Sequence, residues 1–249
     1  MKRIDEEFSY DSVADRYARM VDSAPYNAFY ERPAMLAIVD GMPSIRNRRV
    51  LDAGCGTGWY TAQLLARGAL VAGVDGSRRM LSYARERLDR DWQASADPIL
   101  AAVNLSSGLP FRSACFDLAI SPLVLHYIRD WSPALRELRR VLAPDGRLLF
   151  STHHPAHEAL RLAADGFDVR YDEVQFVEEE WTDIGCVRFY RRSLSRITDA
   201  LADAGFVIER IVEPLPTDAF REVKPEAYAR LLQRPEFLIV HARSASPNG

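Results

Sequence analysis

One stretch, residues 50–58 with the sequence VLDAGCGTG, constrains the fold of this chain more than any other. Its apolar beginning predicts a short buried strand that ends at the carboxylate of Asp52, and glycines then occupy every other position. Residues 59–66 continue with helical spacing. Glycines between a strand and a helix let the backbone turn sharply and approach a ligand, with N–H groups facing it. The stretch therefore predicts a ligand-binding turn, although an ordinary glycine-rich turn is the alternative for this motif alone.

A second strand, predicted over residues 69–75, also ends in a carboxylate, that of Asp75. Ligands bind at the carboxyl ends of strands in open α/β sheets, so we expect Asp75 beside the ligand of the glycine turn. An Asp at a strand end is also commonly a helix cap, and Ser77 is a further candidate N-cap. The glycine order is G-x-G-x-G, whereas dinucleotide-binding folds carry G-x-G-x-x-G, and the lysine of a nucleoside triphosphate loop is missing.

The composition is that of a globular protein without a general attraction to polyanions. Hydrophobic residues make up 48% of the 249 residues, the net charge is -3 and the mean hydropathy is -0.19. These values predict one α/β domain that has neither nucleic acid nor a membrane as its partner. The N-terminus is charged where a secretory signal needs an apolar run, and the three cysteines are scattered. We expect a cytoplasmic protein without a disulfide framework or a zinc site.

The rest of the sequence alternates strand and helix signals. A hairpin is predicted from the strand-like runs 174–181 and 186–192, and turn residues occupy 143–146. Further strands are predicted over residues 98–103, 115–121, 147–152, 206–212 and 235–242, and helices over residues 8–20, 28–39, 132–142, 193–204 and 218–233.

Four blocks between residues 50 and 152 together resemble the class I S-adenosylmethionine-dependent methyltransferases. The first two are the acidic residue with its G-x-G-x-G run and the strand-end acid at position 75. The other two are L-P-F followed by F-D over residues 109–117, and L-x-x-L-x-R-V-L-x-P-D-G-x-L-L-F over residues 135–150. The resemblance is closest to the ubiquinone/menaquinone-methyltransferase-like, small-molecule branch. It implies a Rossmann-like α/β fold with a seven-stranded, mostly parallel sheet and an antiparallel last strand.

The resemblance also implies how the chain is divided. We expect a single methyltransferase domain over residues 1–249 that acts on a small-molecule methyl acceptor as a monomer or homodimer. Its expected parts are an N-terminal helical cap (1–45), a cofactor-binding core (46–155), a hairpin-containing lid insertion (156–192), the C-terminal part of the core (193–242) and a disordered tail (243–249).

The cofactor that the resemblance implies is S-adenosylmethionine, with S-adenosylhomocysteine as the product. Asp75 is expected to accept from the ribose hydroxyls and Met80 to pack on the adenine, while Asn104 stands where relatives carry an aspartate. The amide oxygen of Asn104 can still accept from the adenine amino group if the amide is suitably flipped. The expected cofactor-binding residues are Tyr17, Asp52, Gly54, Cys55, Gly56, Thr57, Gly58, Asp75, Gly76, Ser77, Met80, Asn104, Leu105 and Ser121.

Transfer of an activated methyl group is an in-line displacement, so the protein has to exclude water, align the acceptor and take a proton where one is lost. Histidine is the candidate base because its usual pKa lies near neutrality. His154 is the first choice, followed by His153 and His126, since all three lie at predicted carboxyl ends of strands. No metal is required. The residues expected to line the acceptor site are Tyr26, Asn27, Tyr127 and Trp181.

Two other functions are disfavoured and a third stays open. Methyltransferases that act on exocyclic amines of nucleic acids carry (D/N)-P-P-(Y/F) after strand four, where this chain has SPLV at residues 121–124. The spacing of the glycines disfavours an oxidoreductase. A protein that binds S-adenosylmethionine without methylating, or a partner subunit of the same fold, remains the alternative.

Overall fold

A seven-stranded sheet forms the centre of the structure, a computed structural model that describes residues 13–92, 98–181 and 185–245. A separate two-stranded sheet lies in the region between residues 175 and 191. The strands of the described residues are β1 (Arg49–Ala53), β2 (Leu70–Asp75), β3 (Ile99–Ala102), β4 (Phe116–Pro122), β5 (Leu142–His153), β6 (Gln175–Trp181), β7 (Gly185–Arg191), β8 (Phe206–Val212) and β9 (Phe237–Ser244).

The order of strands across the large sheet is β3-β2-β1-β4-β5-β9-β8. Strands β1 to β5 pair in parallel, whereas β9 pairs antiparallel with both β5 and β8. This topology confirms the predicted mostly parallel sheet with its antiparallel last strand. The chain reverses its direction of winding between β1 and β4, and such a switch point opens a crevice for a ligand at the carboxyl ends of the strands.

Helices cover the sheet through amphipathic faces. Leu135, Leu138 and Val141 of one such helix are fully buried against the sheet. None of the helices in the described ranges has the length and apolar content that a bilayer crossing demands. The α-helices of the described residues are α1 (Ala14–Met20), α2 (Arg32–Gly41), α3 (Trp59–Ala66), α4 (Arg78–Asp91), α5 (Trp131–Val141), α6 (Pro155–Ala164), α7 (Leu194–Asp203), α8 (Asp218–Val223) and α9 (Pro225–Gln233).

The segment before β1 contains an element that the sequence pattern did not predict. Instead of one helix over residues 28–39, a π-helix (Asn27–Glu31) leads into α2. The π-helix buries Glu31, which is 1% exposed and accepts hydrogen bonds from the hydroxyls of Tyr60 at 2.8 Å and Ser151 at 2.5 Å. The π-helix is thereby hydrogen-bonded to α3 and to β5. Of the helix predicted over residues 8–20, the part before residue 13 lies outside the described residues.

Two predicted boundaries are wrong because β5 and β9 extend further than their apolar runs. The segment 143–146, predicted as a turn, lies within β5 as a bulge between the pairs Phe116–Leu142 and Leu118–Arg147. Strand β9 continues to residue 244, so residues 243 and 244 of the predicted disordered tail pair with β8. Residues 246–249 of that tail lie outside the described residues.

The start of α5 also differs from the prediction. The helix begins at Trp131 and not at Ser132, because the side chain of Asp130 accepts a hydrogen bond from the Ser132 N–H at 2.9 Å. An Asp at the N-cap satisfies an N–H group that the first helical turn leaves without a partner.

The insertion between β5 and α7 consists of α6 followed by the hairpin β6–β7. The two strands pair from Gln175–Arg191 to Trp181–Gly185, which confirms the predicted hairpin. Its inner face buries Val187 and Phe189 completely against α6 and the start of α1. The turn residues 182–184 and the side chain of Trp181, a predicted acceptor contact, lie outside the described part.

Candidate active site

The glycine turn after β1 has the backbone shape that the motif predicted. Gly54 has φ +84° and Gly56 has φ +53°, values in the left-handed region that side chains rarely adopt. A Cβ atom on Gly54 would lie 2.3 Å from Cγ2 of Val124, so the loop after β4 packs directly on the bare backbone. A Cβ on Gly56 would meet no atom within 4 Å. The turn is therefore closely packed on one side and open toward a cavity on the other.

Asp75 at the end of β2 holds this turn in place. Its Oδ2 accepts from the Gly56 N–H at 2.8 Å, and its Oδ1 accepts from the Ser77 N–H at 2.8 Å. Ser77 is the N-cap of α4, as predicted, with its hydroxyl accepting from the Met80 N–H at 3.0 Å. One carboxylate thus joins the glycine turn to the start of α4.

Asn104 follows β3 and turns its side chain back to its own backbone. The amide oxygen accepts from the Ser106 N–H at 2.8 Å. This Asx-type bond fixes the loop, and it occupies one lone pair of the oxygen that we expected to face an adenine amino group.

These elements enclose a cavity of about 340 Å³ at the carboxyl ends of β1 to β4, here called the cofactor cavity. It brings together nine of the fourteen residues predicted to bind the cofactor. They are Tyr17, Gly54, Gly56, Asp75, Gly76, Ser77, Met80, Asn104 and Leu105.

The other five predicted cofactor residues do not line this cavity. Burial raises the pKa of Asp52 to about 7, and its Oδ2 accepts from the Thr61 hydroxyl at 2.7 Å. The hydroxyl of Ser121 donates to the Ala53 carbonyl at 2.9 Å, which ties β4 to β1. These side chains support the turn from below. The remaining three are Cys55, Thr57 and Gly58.

The cofactor cavity fits an adenosyl group linked to an amino acid. The open space above Gly56 admits a ligand against the backbone, as the glycine turn requires. Asp75 and Asn104 supply polar atoms, while Met80 and Leu105 supply apolar walls. In addition, Oδ1 of Asp52 is buried next to the start of the turn and makes no hydrogen bond with any described residue, although Asp52 itself does not line the cavity.

A second cavity of about 530 Å³, here called the acceptor cavity, adjoins the first. The two share the residues Tyr17, Leu123 and Tyr127 as part of their linings. Burial raises the pKa of Tyr17 to about 12, so its hydroxyl stays protonated at neutral pH. The predicted acceptor residues Tyr26, Asn27 and Tyr127 all line this cavity.

Two of the three predicted catalytic histidines lie in the acceptor cavity as a stacked pair. The rings of His126 and His153 are 4.0 Å apart with an angle of 18° between their planes. Phe189 of the hairpin packs edge-on against the His153 ring, with the ring centroids 4.6 Å apart. Burial lowers the pKa of His126 well below its usual range and that of His153 to about 4. Both imidazoles are therefore neutral at pH 7.

His154, the first choice for a base, is directed elsewhere. Its Nδ1 accepts from the Ala156 N–H at 3.2 Å, which makes it the N-cap of α6. Its Nε2 lies 2.9 Å from Oε1 of Glu213, and the residue lines neither the cofactor cavity nor the acceptor cavity. Adjacent residues of a strand point to opposite faces, so at the end of β5 only one of the two neighbouring histidines can face the cavity.

The acceptor cavity also contains charged residues that the sequence analysis did not identify. They come from α6, β6, and the segment around the end of α9, which are far apart in the chain. No local signal distinguishes them from the charged faces of ordinary surface helices. They are Glu158, Arg161, Glu179, Arg230, Arg234 and Glu236.

A buried chain of hydrogen bonds reaches the wall between the two cavities. The Ser151 hydroxyl, which donates to Glu31, accepts from the Leu123 N–H at 3.0 Å. Burial raises the pKa of Glu31. Leu123 itself has φ +52°, a strained value for this residue type that the bond to Ser151 helps to hold.

Comparison with known proteins agrees with this geometry. Residues 51–150 match the family described as methyltransferase domain. The malonyl-[acyl-carrier protein] O-methyltransferase of Erwinia pyrifoliae is 36% identical over 141 residues, which are 57% of this chain and 51% of that protein. The chain thus spans about half the length of this curated relative. An uncharacterized protein of Haemophilus influenzae is 29% identical over 251 residues, covering 95% of this chain and 96% of its own.

A solved structure extends the likeness to nearly the whole fold. The S-adenosylmethionine dependent methyltransferase from Mesorhizobium loti superimposes with a TM-score of 0.67 at 28% identity, over 90% of this chain and 99% of that one. The sheet topology, the motif over residues 51–150 and these relatives agree. Residues 51–150 therefore match a methyltransferase domain, and the fold is similar over nearly its whole length to that of an S-adenosylmethionine dependent methyltransferase.

Proposed function

We propose that this chain transfers the methyl group of S-adenosylmethionine to an atom of a small molecule bound in the acceptor cavity. The observation that carries the proposal is the pair of adjoining cavities, which share Tyr17, Leu123 and Tyr127. A cofactor in one cavity and an acceptor in the other would have their reactive atoms close together at these shared residues. Alignment of two reactants in this way supplies a large part of the rate of a displacement.

Within the cofactor cavity, we propose that Asp75 accepts from the ribose hydroxyls. Asn104 contacts the adenine edge, and Met80 and Leu105 pack against the adenine faces. The backbone of the glycine turn holds the amino-acid end, with Asp52 beneath it. The support for these roles is the position of each group around one cavity. The cofactor, when bound, supplies a methyl group that its sulfonium has already activated.

The remaining residues exclude water and position the acceptor. The insertion over residues 156–192 contributes α6 and the hairpin to the acceptor cavity, and we propose that it acts as a lid. Tyr26 and Asn27 of the N-terminal segment also line this cavity. A cavity from which water is excluded strengthens every polar contact to the acceptor.

We further propose that His153 and His126, and not His154, contact the acceptor. Neither ring nitrogen of His126 makes a hydrogen bond with the described residues, although both are buried. Nδ1 of His153 lies 3.7 Å from Oε1 of Glu158, which is beyond hydrogen-bond distance. A neutral imidazole can accept a proton, but with a pKa near 4 His153 is a weak base. The pair therefore suits an acceptor atom that is already ionised or loses its proton late.

The test is to measure S-adenosylhomocysteine formation by mass spectrometry with the purified protein, S-adenosylmethionine and a panel of small-molecule acids, phenols and amines. Malonyl-[acyl-carrier protein] belongs in the panel because a relative carries its name. Calorimetry with S-adenosylmethionine, S-adenosylhomocysteine and NAD accompanies it. Turnover with any acceptor supports the proposal. Binding of S-adenosylmethionine without product across the panel would favour the alternative, a non-methylating member of the fold.

A further inference from the structure

The charges around the acceptor cavity are unevenly paired. Arg161 lies 2.8 Å from Glu158 and 3.5 Å from Glu179, so one guanidinium serves two carboxylates. Arg230 lies 2.9 Å from Glu236 and also donates to the Tyr26 hydroxyl at 2.8 Å. All the carboxylates that line the cavity are therefore engaged by two of its three arginines.

Arg234, the third arginine, stands at the end of α9 and is only partly exposed. Its Nε is buried and makes no hydrogen bond with any described residue. No carboxylate of the described ranges lies in ion-pair distance of its guanidinium. A buried guanidinium nitrogen without an acceptor is costly, because desolvation is not repaid by a bond.

His157 of α6 adds a second polar atom at this end of the cavity. Its Nδ1 is buried and likewise makes no hydrogen bond with the described residues. Burial, together with the nearby charges of Arg234 and Arg161, lowers its pKa to about 4, although Glu158 acts in the opposite direction. A neutral imidazole in this position can donate one N–H to an anion.

We propose that Arg234, with His157 beside it, binds an anionic group of the acceptor, which is therefore a small molecule carrying a carboxylate or a phosphate. This inference rests on the proposed function, because it assumes that the acceptor binds in this cavity. The guanidinium fork matches the oxygens of both kinds of anion. Neither residue lines the cofactor cavity, so the anion lies away from the wall that the two cavities share. It anchors the acceptor, while another atom of the same molecule receives the methyl group.

The experiment measures the binding of matched probes to the protein loaded with S-adenosylhomocysteine. Phenylacetate and phenylphosphonate carry the two anions on an aromatic ring, and phenylacetamide is the neutral counterpart of the carboxylate. Dissociation constants come from ligand-observed NMR titrations with the wild-type protein and with Arg234→Gln and Arg234→Lys. Arg221→Gln is the matched control, since this exposed arginine of α8 is paired with Asp218 at 2.9 Å and lines neither cavity.

We expect at least one anion to bind the wild-type protein roughly tenfold or more tightly than the amide, as a charge-assisted fork predicts. Arg234→Gln should abolish this preference and Arg234→Lys should retain part of it, with Arg221→Gln unchanged. The probe that binds more tightly, phenylacetate or phenylphosphonate, shows whether the acceptor carries a carboxylate or a phosphate. Equal affinity for acid and amide, no binding of either anion, or a preference that survives Arg234→Gln would overturn the inference. Failure to bind S-adenosylmethionine would instead refute the proposed function.

Discussion

Replacing the glycines of the cofactor turn by alanine, one at a time, should separate the stability of the fold from the affinity for the cofactor. Gly54 and Gly56 both have positive φ, so either substitution places a side chain in the left-handed region. The two positions differ in their surroundings. The new Cβ meets Val124 at 2.3 Å in Gly54→Ala, but it meets no atom within 4 Å in Gly56→Ala, where it enters the cofactor cavity.

The expected magnitudes follow from these contacts. The left-handed conformation costs a non-glycine residue about 1–2 kcal/mol, and this applies to both variants. Overpacking adds about 1–3 kcal/mol in Gly54→Ala, whose free energy of unfolding should fall by about 2–5 kcal/mol in total. The free energy of unfolding of Gly56→Ala should fall only by the cost of the left-handed conformation. Its affinity for S-adenosylmethionine should fall at least roughly tenfold, because the methyl group takes space that the ligand needs.

Urea unfolding followed by circular dichroism gives the stabilities, and calorimetry gives the affinities. Val124→Ala, which removes both γ carbons, should restore part of the stability that Gly54→Ala loses, and a double-mutant cycle isolates this coupling. Equal stability losses for the two glycine variants would refute the reasoning. So would a cycle in which the effects of Gly54→Ala and Val124→Ala simply add.

Three further predictions concern the polar groups of the site. Asp75→Ala should weaken binding of S-adenosylmethionine at least roughly tenfold by calorimetry, since hydrogen bonds to a charged group are worth about 1.5–3 kcal/mol, whereas Asp75→Asn should lose less. His154→Gln should lower the free energy of unfolding by about 1 kcal/mol, because α6 loses its N-cap, and should leave turnover unchanged. His153→Gln should slow methyl transfer roughly 10²-fold for an acceptor that loses a proton. The reverse pattern would restore His154 as the base. Because burial lowers the pKa of His153 from 6.5 to about 4, the unfolded chain takes up its proton first as the pH falls. Wild-type stability should therefore drop between pH 6.5 and 4 by up to about 3 kcal/mol relative to His153→Gln in urea titrations, and parallel pH profiles of the two proteins would contradict the assignment.

The parts of the site that could be predicted are those that depend on local geometry. A strand, a glycine turn and a helix N-terminus follow one another within a few residues, so Gly54, Gly56 and Ser77 were placed correctly from the sequence. The motif does not show which of its side chains face the ligand. Asp52 belongs to the same run but lies beneath the turn, because the backbone and not the side chains forms the upper surface.

Other features depend on contacts that no short pattern records. The proline after His154 was an available signal, since Pro favours the first helical position and marks the residue before it as an N-cap. No such signal exists for the π-helix that buries Glu31, or for the position of Arg234 in the same cavity as residues of α6. Those arise from packing between segments that are distant in the sequence.

The two cavities are built from different parts of the chain, and this separation bears on how such enzymes diversify. The residues of the cofactor cavity other than the N-terminal tyrosine fall between positions 54 and 128. Much of the acceptor cavity comes from positions 17–27 and 153–237. Substitutions, insertions or deletions in the outer segments can therefore alter which molecule is methylated while the methyl donor is retained. We therefore expect the choice of acceptor to depend on segments that, apart from the wall shared by the two cavities, do not line the cofactor cavity.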